Sequence, residues 1–196
     1  MKKIYLITFP MLALALLIAG YTPMSSCTNK EKAEVKDSDE SRYVDPGLKK
    51  MVQVAIVVKD IEASSKRWAE LLGMPMPEIR TTRPGNEVDV IYRGKPSNGK
   101  VKLSFFALND GMVLELLEPI TEGTAWKEFL DEHGEGVQHL GFKFVDKEKA
   151  KEQFEKDGYP IIHEGRYDSQ DGTYIYYDTE EALGATVELL HSDVSE

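Results

Sequence analysis

The apolar positions of this chain fall into short runs with two different periods, and the sequence of periods occurs twice. Met51 to Val58 is a β-branched run of strand length, followed by Asp60 as an N-cap and a helix over Ile61–Leu72 that Gly73 closes. Short segments rich in strand formers then follow at 77–82, 88–93, 101–108 and 112–119, each bounded by Gly, Pro, Asn or Asp. The pattern restarts with a strand over 137–145, a cap at Asp146, a helix over 147–157 and Gly158. Further strands are expected at 161–167, 173–178 and 185–191. Laying His139 on Gln53 places Asp146 on Asp60 and Phe154 on Trp68 without a gap. Thr124 to His133 reads as a short linking helix between the copies.

These elements predict an α+β fold of two tandem βαβββ modules, about 50–119 and 136–191, joined by a linker helix at about 123–134. One such module cannot bury its sheet alone, whereas two side by side form a curved mixed sheet around a cleft. Ahead of them the pattern changes. Lys2 and Lys3 precede an apolar run from Ile4 to Ala19, then small residues up to Cys27. A basic start, an apolar run short for a bilayer and a small-residue cut site describe an exported leader over residues 1–26. Small residues before the only cysteine resemble a bacterial lipoprotein signal, which makes Cys27 the lipidation site. Residues 27–46 are polar and charged and read as a disordered tether, with the domain spanning 47–196. The expected location is the cell envelope, lipid-anchored outside the cytoplasmic membrane.

Charge and cysteine content narrow the chemistry. The formal charge is −10 over 196 residues, and removal of the leader leaves 22 basic against 34 acidic residues. A surface this acidic is a poor partner for nucleic acid. A single thiol permits neither an internal disulfide nor a cysteine-rich metal site, so any metal must be held by His, carboxylate or amide oxygen.

The stretches VQVAIVVKDIEASSKRWAELLGMP, ELLEP at 115–119 and HGEGVQHLGF at 133–142 resemble the vicinal oxygen chelate superfamily, in particular its glyoxalase I and methylmalonyl-CoA epimerase branches. The resemblance implies metal ligands on the first and last strands of each half, at Gln53, Glu115, His139 and Glu188. Leu114-Glu115-Leu116-Leu117 mirrors Val187-Glu188-Leu189-Leu190. A glutamate flanked by apolar residues in a buried strand is unfavourable unless paired, hydrogen-bonded or bound to a cation. The donor set suits a divalent ion such as Zn, Ni, Co or Mn. Ala55 and Gly141, two residues beyond Gln53 and His139, are expected to leave room for substrate.

The resemblance further implies a metal-dependent lyase or isomerase that moves a proton next to a carbonyl through a metal-stabilised enediolate. Glu188 would be the base and Glu115 a ligand or second base, acting on a small carbonyl substrate. Epimerases of this type call for a further acid, and the nearest residue, Glu87, is out of clean register. Ring-cleaving dioxygenases need two His, and only His139 sits at a ligand position; His133, His163 and His191 read as structural or exposed. Tyr92, Arg93, Phe105, Tyr174 and Tyr176 are candidates for the cleft wall. The alternatives are a non-catalytic binding or sequestering protein of the envelope, or a structural module with a vestigial cleft. One chain supplies both modules, so either a monomer or a homodimer fits.

Overall fold

A computed structural model describes residues 47–144 and 146–193, apart from the side chains of Lys49 and Asp110. The expected leader over residues 1–26, Cys27 and the expected tether to residue 46 lie outside the described residues. Among the described residues no helix is long and apolar enough to cross a membrane.

The first module holds β1 (Leu48–Val57), α1 (Ile61–Leu72), β2 (Arg80–Thr81), β3 (Ile91–Tyr92), β4 (Lys95–Pro96), β5 (Val101–Ala107) and β6 (Val113–Pro119). Helix α2 (Ala125–His133) links it to β7 (Gly136–Phe144), α3 (Lys147–Lys156), β8 (Ile161–Arg166), β9 (Gly172–Tyr177), α4 (Glu180–Leu183) and β10 (Thr186–Ser192). The caps form as their sequences require. Asp60 accepts from the Ala63 N–H at 2.9 Å, Asp146 from Lys149 at 3.1 Å and Thr124 from Lys127 at 3.1 Å.

All ten strands make one sheet in the order β2-β5-β6-β1-β7-β10-β9-β8-β3-β4. Each module runs parallel where its first strand meets its last, β1 with β6 and β7 with β10. The two modules join edge to edge through antiparallel β1 and β7. The result is a curved mixed sheet, a half-barrel with helices, built from one chain.

Alternation of side chains sorts the core into layers. On the outer face α1 packs Ile61 and Ala69 against Phe106, Leu114 and Leu116, and α3 packs Ala150 and Phe154 against Ile175, Val187 and Leu189. On the inner face α2 brings Ala125 and Trp126 against Ala55, Val57, Leu117 and Tyr176.

The segment 88–93 departs from expectation. It is not a strand of the first module. Residues 85–87 form a 3-10 turn, and only Ile91–Tyr92 is extended, paired with Glu164 and His163 of β8 at the far edge of the second module. Its hairpin to β4 turns on Arg93 and Gly94, both at positive φ (47° and 74°), the geometry of a tight two-residue loop. A strand continuing through Arg93 is incompatible with that turn. The hairpin lends the second half an edge that its own sequence does not encode, while β1, α1, β2, β5 and β6 keep the βαβββ order.

Candidate active site

The register of the sheet brings the four expected ligands to one point. Gln53 lies opposite Gly141, which lies opposite Glu188; Glu115 pairs with Ala55, which lies opposite His139. Paired and alternate residues share a face, so all four side chains rise from the inner face at the seam between the modules. All are buried, His139 completely.

Their heads meet. The Gln53 amide donates to Glu115 Oε2 at 2.7 Å and to Glu188 Oε2 at 3.1 Å, and stands 3.1 Å from His139 Nε2. His139 Nε2 lies 3.3 Å from Glu115 Oε2 and 3.2 Å from Glu188 Oε2. In both glutamates it is Oε2 that meets the cluster. Gln138, which the sequence reading passed over, completes the arrangement. Its Oε1 stands 2.7 Å from His139 Nδ1 and its amide donates to Thr186 at 3.2 Å. An acceptor at Nδ1 holds a proton there and turns Nε2 toward the cluster.

Gly141 makes the convergence possible. A Cβ there would fall 2.8 Å from the Gln53 Cβ and 3.1 Å from Glu188 Oε2. The room at Gly141 therefore serves the four side chains themselves, and Ala55 belongs to the core beside them. Contrary to the expectation that these two positions leave room for substrate, neither lines the cavity that the cluster borders.

Two buried carboxylates and one imidazole hold a proton between them. Burial raises Glu115 above the usual carboxylate range, reinforced by Glu188 and opposed by His139. For His139 burial acts downward, but the charge of Glu188 and the hydrogen bonds that the imidazolium donates to both glutamates outweigh it and push the imidazole up to about 9. A folded-state pKa above the unfolded 6.5 contributes stability that is complete below pH 6.5 and lost as pH rises through about 9. Glu115, also raised, acts in the same direction. The metal-free domain is thus expected to lose several degrees of Tm between pH 6.5 and 9 in thermal melts, and a His139→Gln variant to lose less, because of this pair only the buried Glu115 still titrates. A flat wild-type profile would contradict the charge assignment.

Among the described residues no group of three or more His, Cys, Asp and Glu stands as an open cage for a metal; these side chains close on one another by hydrogen bonds. The chemistry of the set nonetheless fits a divalent ion. With His139 protonated at Nε2, that N–H and the Gln53 amide confront each other as donors. With Nε2 unprotonated, its lone pair faces two carboxylate oxygens. No assignment satisfies every contact, whereas a cation accepts all four donors once the Gln53 amide presents its oxygen. Ligand atoms about 2.1 Å from one ion at right angles stand about 3 Å apart, the spacing found here.

Gln53, Glu115 and Glu188 of the cluster line a cavity of about 300 Å3, with His139 buried behind them. Phe105, Tyr174 and Tyr176 line it as expected, with Trp126 and Leu190. Tyr92 and Arg93 do not: Tyr92 packs edge-on against His163, and Arg93 pairs with Glu128 of α2. Trp126 donates to the Tyr176 hydroxyl at 3.2 Å, and the Tyr176 ring stands edge-on to His139 at 4.8 Å. This fixes the wall beside the cluster. His163 is wholly buried among the Trp126, Tyr174 and Tyr176 rings with neither nitrogen hydrogen-bonded, and burial, aided by the charge of His139, drives it down to about 3. It is a neutral core residue. His133 and His191 are partly exposed, near Glu180 and Asp193 respectively. Glu87 is exposed and paired with Arg83.

A family model described as the Glyoxalase/Bleomycin resistance protein/Dioxygenase superfamily matches residues 52–177. The chain belongs to this superfamily. Solved members share its fold. Methylmalonyl-CoA epimerase from Mycobacterium tuberculosis superposes with a TM-score of 0.55 at 17% identity, over 76% of this chain and 91% of that one. A variant of the Streptomyces coelicolor epimerase in complex with 2-nitronate-propionyl-CoA gives 0.54 at 22% identity, over 75% and 99%. A mutant 4-hydroxymandelate synthase from Streptomyces coelicolor gives 0.50 at 15% identity, over 75% and 50%. No curated protein matches the chain. The superfamily thus spans epimerases and dioxygenases on one scaffold, and its enzymes typically use a divalent metal.

Proposed function

We propose that this superfamily member is a metal-dependent lyase or isomerase of glyoxalase or epimerase type, transferring a proton next to a carbonyl. The observation that carries the reading is the convergence of Gln53, Glu115, His139 and Glu188, two from each module, buried beside a cavity. Buried carboxylates that meet at one point without a cationic side chain other than His139 are unfavourable as mere structure. A divalent ion of the Zn, Ni, Co or Mn class held there would supply Lewis acidity toward substrate oxygens. The chain's own residues do the rest. Gln138 orients the His139 ring, and Tyr176, Trp126 and Phe105 exclude water from the reacting end. Glu188, which lines the cavity, accepts the proton from carbon and returns it. Its neighbour Glu115 stays in place through the short Gln53 bond.

One imidazole at the ligand positions also argues against the two-His iron site of the ring-cleaving members. The export leader and Cys27 support work in the cell envelope, on a lipid anchor. The test is solvent-deuterium uptake at the carbon next to the carbonyl, followed by NMR for a panel of thiol adducts and 2-oxo compounds. Uptake that appears on metal loading and vanishes on chelation supports the reading. Saturable ligand binding with no exchange on any compound would instead identify a sequestering protein.

A further inference from the structure

The mouth of the same cavity carries three arginines that the ligand positions did not predict: Arg80, Arg83 and Arg166. They differ in their partners. Arg83 pairs with Glu87 at 3.1 Å and Arg166 with Asp193 at 2.8 Å. The acid at this rim, Asp168, turns both oxygens to the Arg83 backbone N–H at 3.2 Å, tying its loop to the opposite wall. Arg80 alone of the three has no carboxylate partner among the described residues. Its guanidinium lies over the Phe105 ring, 5.3 Å from the centroid, and Phe105 is the residue directly opposite Glu115.

Position follows from register. Arg80 pairs with Leu103, two residues before Phe105 on β5, so Arg80, Phe105 and Glu115 project from the same face. Two strand spacings and two residues along the strand separate Arg80 and Glu115, roughly 12 Å between Cα atoms. Side chains reaching in from both ends of a concave face leave a gap on the order of 5 Å, the length of a short carbon chain. The wall between is apolar, formed by Val101, Leu103, Leu117 and Phe105. A fixed cation at one end, carboxylates at the other and hydrocarbon between them describe a receptor for an elongated molecule with one anionic terminus. In a chain of net charge −10, an uncompensated cation at a cavity mouth also counters the repulsion that an acid would otherwise meet.

We propose that the substrate is a short carbonyl acid, bound with its carboxylate on Arg80 and its carbonyl end toward Glu115 and Glu188. The proposal rests on the reading of this cavity as the substrate site and names the class it takes. A neutral aldehyde or ketone of the same length lacks the group that Arg80 recognises.

Calorimetric titration of the full chain with 2-oxoglutarate and with its dimethyl ester tests this without requiring turnover. The acid is expected to bind tighter than the ester by roughly 10- to 100-fold, the worth of one charge-assisted hydrogen bond to guanidinium. Arg80→Met should abolish that preference, Arg80→Lys should keep part of it, and added salt should weaken it. Arg80 is exposed, so neither variant threatens the fold. Equal affinity for acid and ester, no detectable binding of the acid, or a preference that survives Arg80→Met would each overturn the proposal. Because binding is measured apart from proton exchange, an acid-selective cavity that catalyses nothing would sink the catalytic reading and leave this one standing.

Discussion

Glu188→Gln is expected to lower deuterium uptake by the metal-loaded enzyme by about 100- to 10 000-fold, the usual contribution of a positioned general base. The substitution keeps the shape of the side chain and an oxygen that can face the cluster, so the fold survives. It also removes one of two carboxylates that meet in a buried place. Above pH 9, where His139 is neutral and the two carboxylates face each other without a cation, the metal-free variant should therefore melt no lower than the wild type. Loss of exchange together with unchanged or raised Tm separates a catalytic role from a structural one. Undiminished exchange would move the base elsewhere, with Glu115 the next to examine. The same variant should still prefer an acid ligand over its ester, because Arg80 is untouched.

Gly141→Ala is the second large effect, although it adds one methyl group and removes no chemistry. In the middle of a strand, Ala ordinarily stabilises over Gly by about 0.5–1 kcal/mol. Here the new Cβ would meet the Gln53 Cβ at 2.8 Å, a stem fixed to the backbone rather than the free end of a side chain. Leu190 Cδ1 and Glu188 Oε2 crowd it from the other side at 3.0 and 3.1 Å. Overpacking of this kind costs about 1–3 kcal/mol, which for a domain of this size lowers Tm by roughly 2–10 °C. The strands must part or the Gln53 and Glu188 heads must turn aside, and a metal site tolerates neither. Affinity for a divalent ion is expected to fall by about 100-fold, measured by competition with a chelator. A variant as stable and as tightly loaded as the wild type would show that the four heads do not form the site.

Much of this was legible in the sequence because it is local. The doubled strand–cap–helix pattern set Asp60 against Asp146 and Gln53 against His139, and those pairs occupy equivalent places in the two modules. The meeting of Gln53, Glu115, His139 and Glu188 was legible through the resemblance and through apolar runs that bury a glutamate. What escaped is what long-range pairing decides. Val88 to Arg93 carries strand-forming residues, but Arg93 and Gly94 turn the chain back, and β3 finds its partner about 70 residues later in β8. No local pattern states that. Gln138 was passed over because its neighbour His139 carries the chemistry, and alternation alone would send the two side chains to opposite faces. Arg80 comes from β2, Arg83 from the loop that follows it and Arg166 from the end of β8, and only the closed half-barrel puts them at one mouth.

His163 shows the converse. A histidine near the start of a strand suggested a structural or exposed residue, and the structure makes it structural, sealed among aromatic rings and kept neutral. What the sequence could not supply was the neighbourhood: Tyr92 of the inserted hairpin and Trp126 of the linker helix both close over it. The aromatic wall next to the cluster thus depends on segments from both modules and the link between them.

The most direct test of the central claim is the metal content of the domain from residue 47 onward, stripped and then reloaded with Zn, Ni, Co or Mn, beside a His139→Ala variant. The convergence of Gln53, Glu115, His139 and Glu188 predicts about one tightly held ion per chain, lost in the variant. No stoichiometric ion in either protein would contradict it and leave the superfamily fold serving binding or architecture.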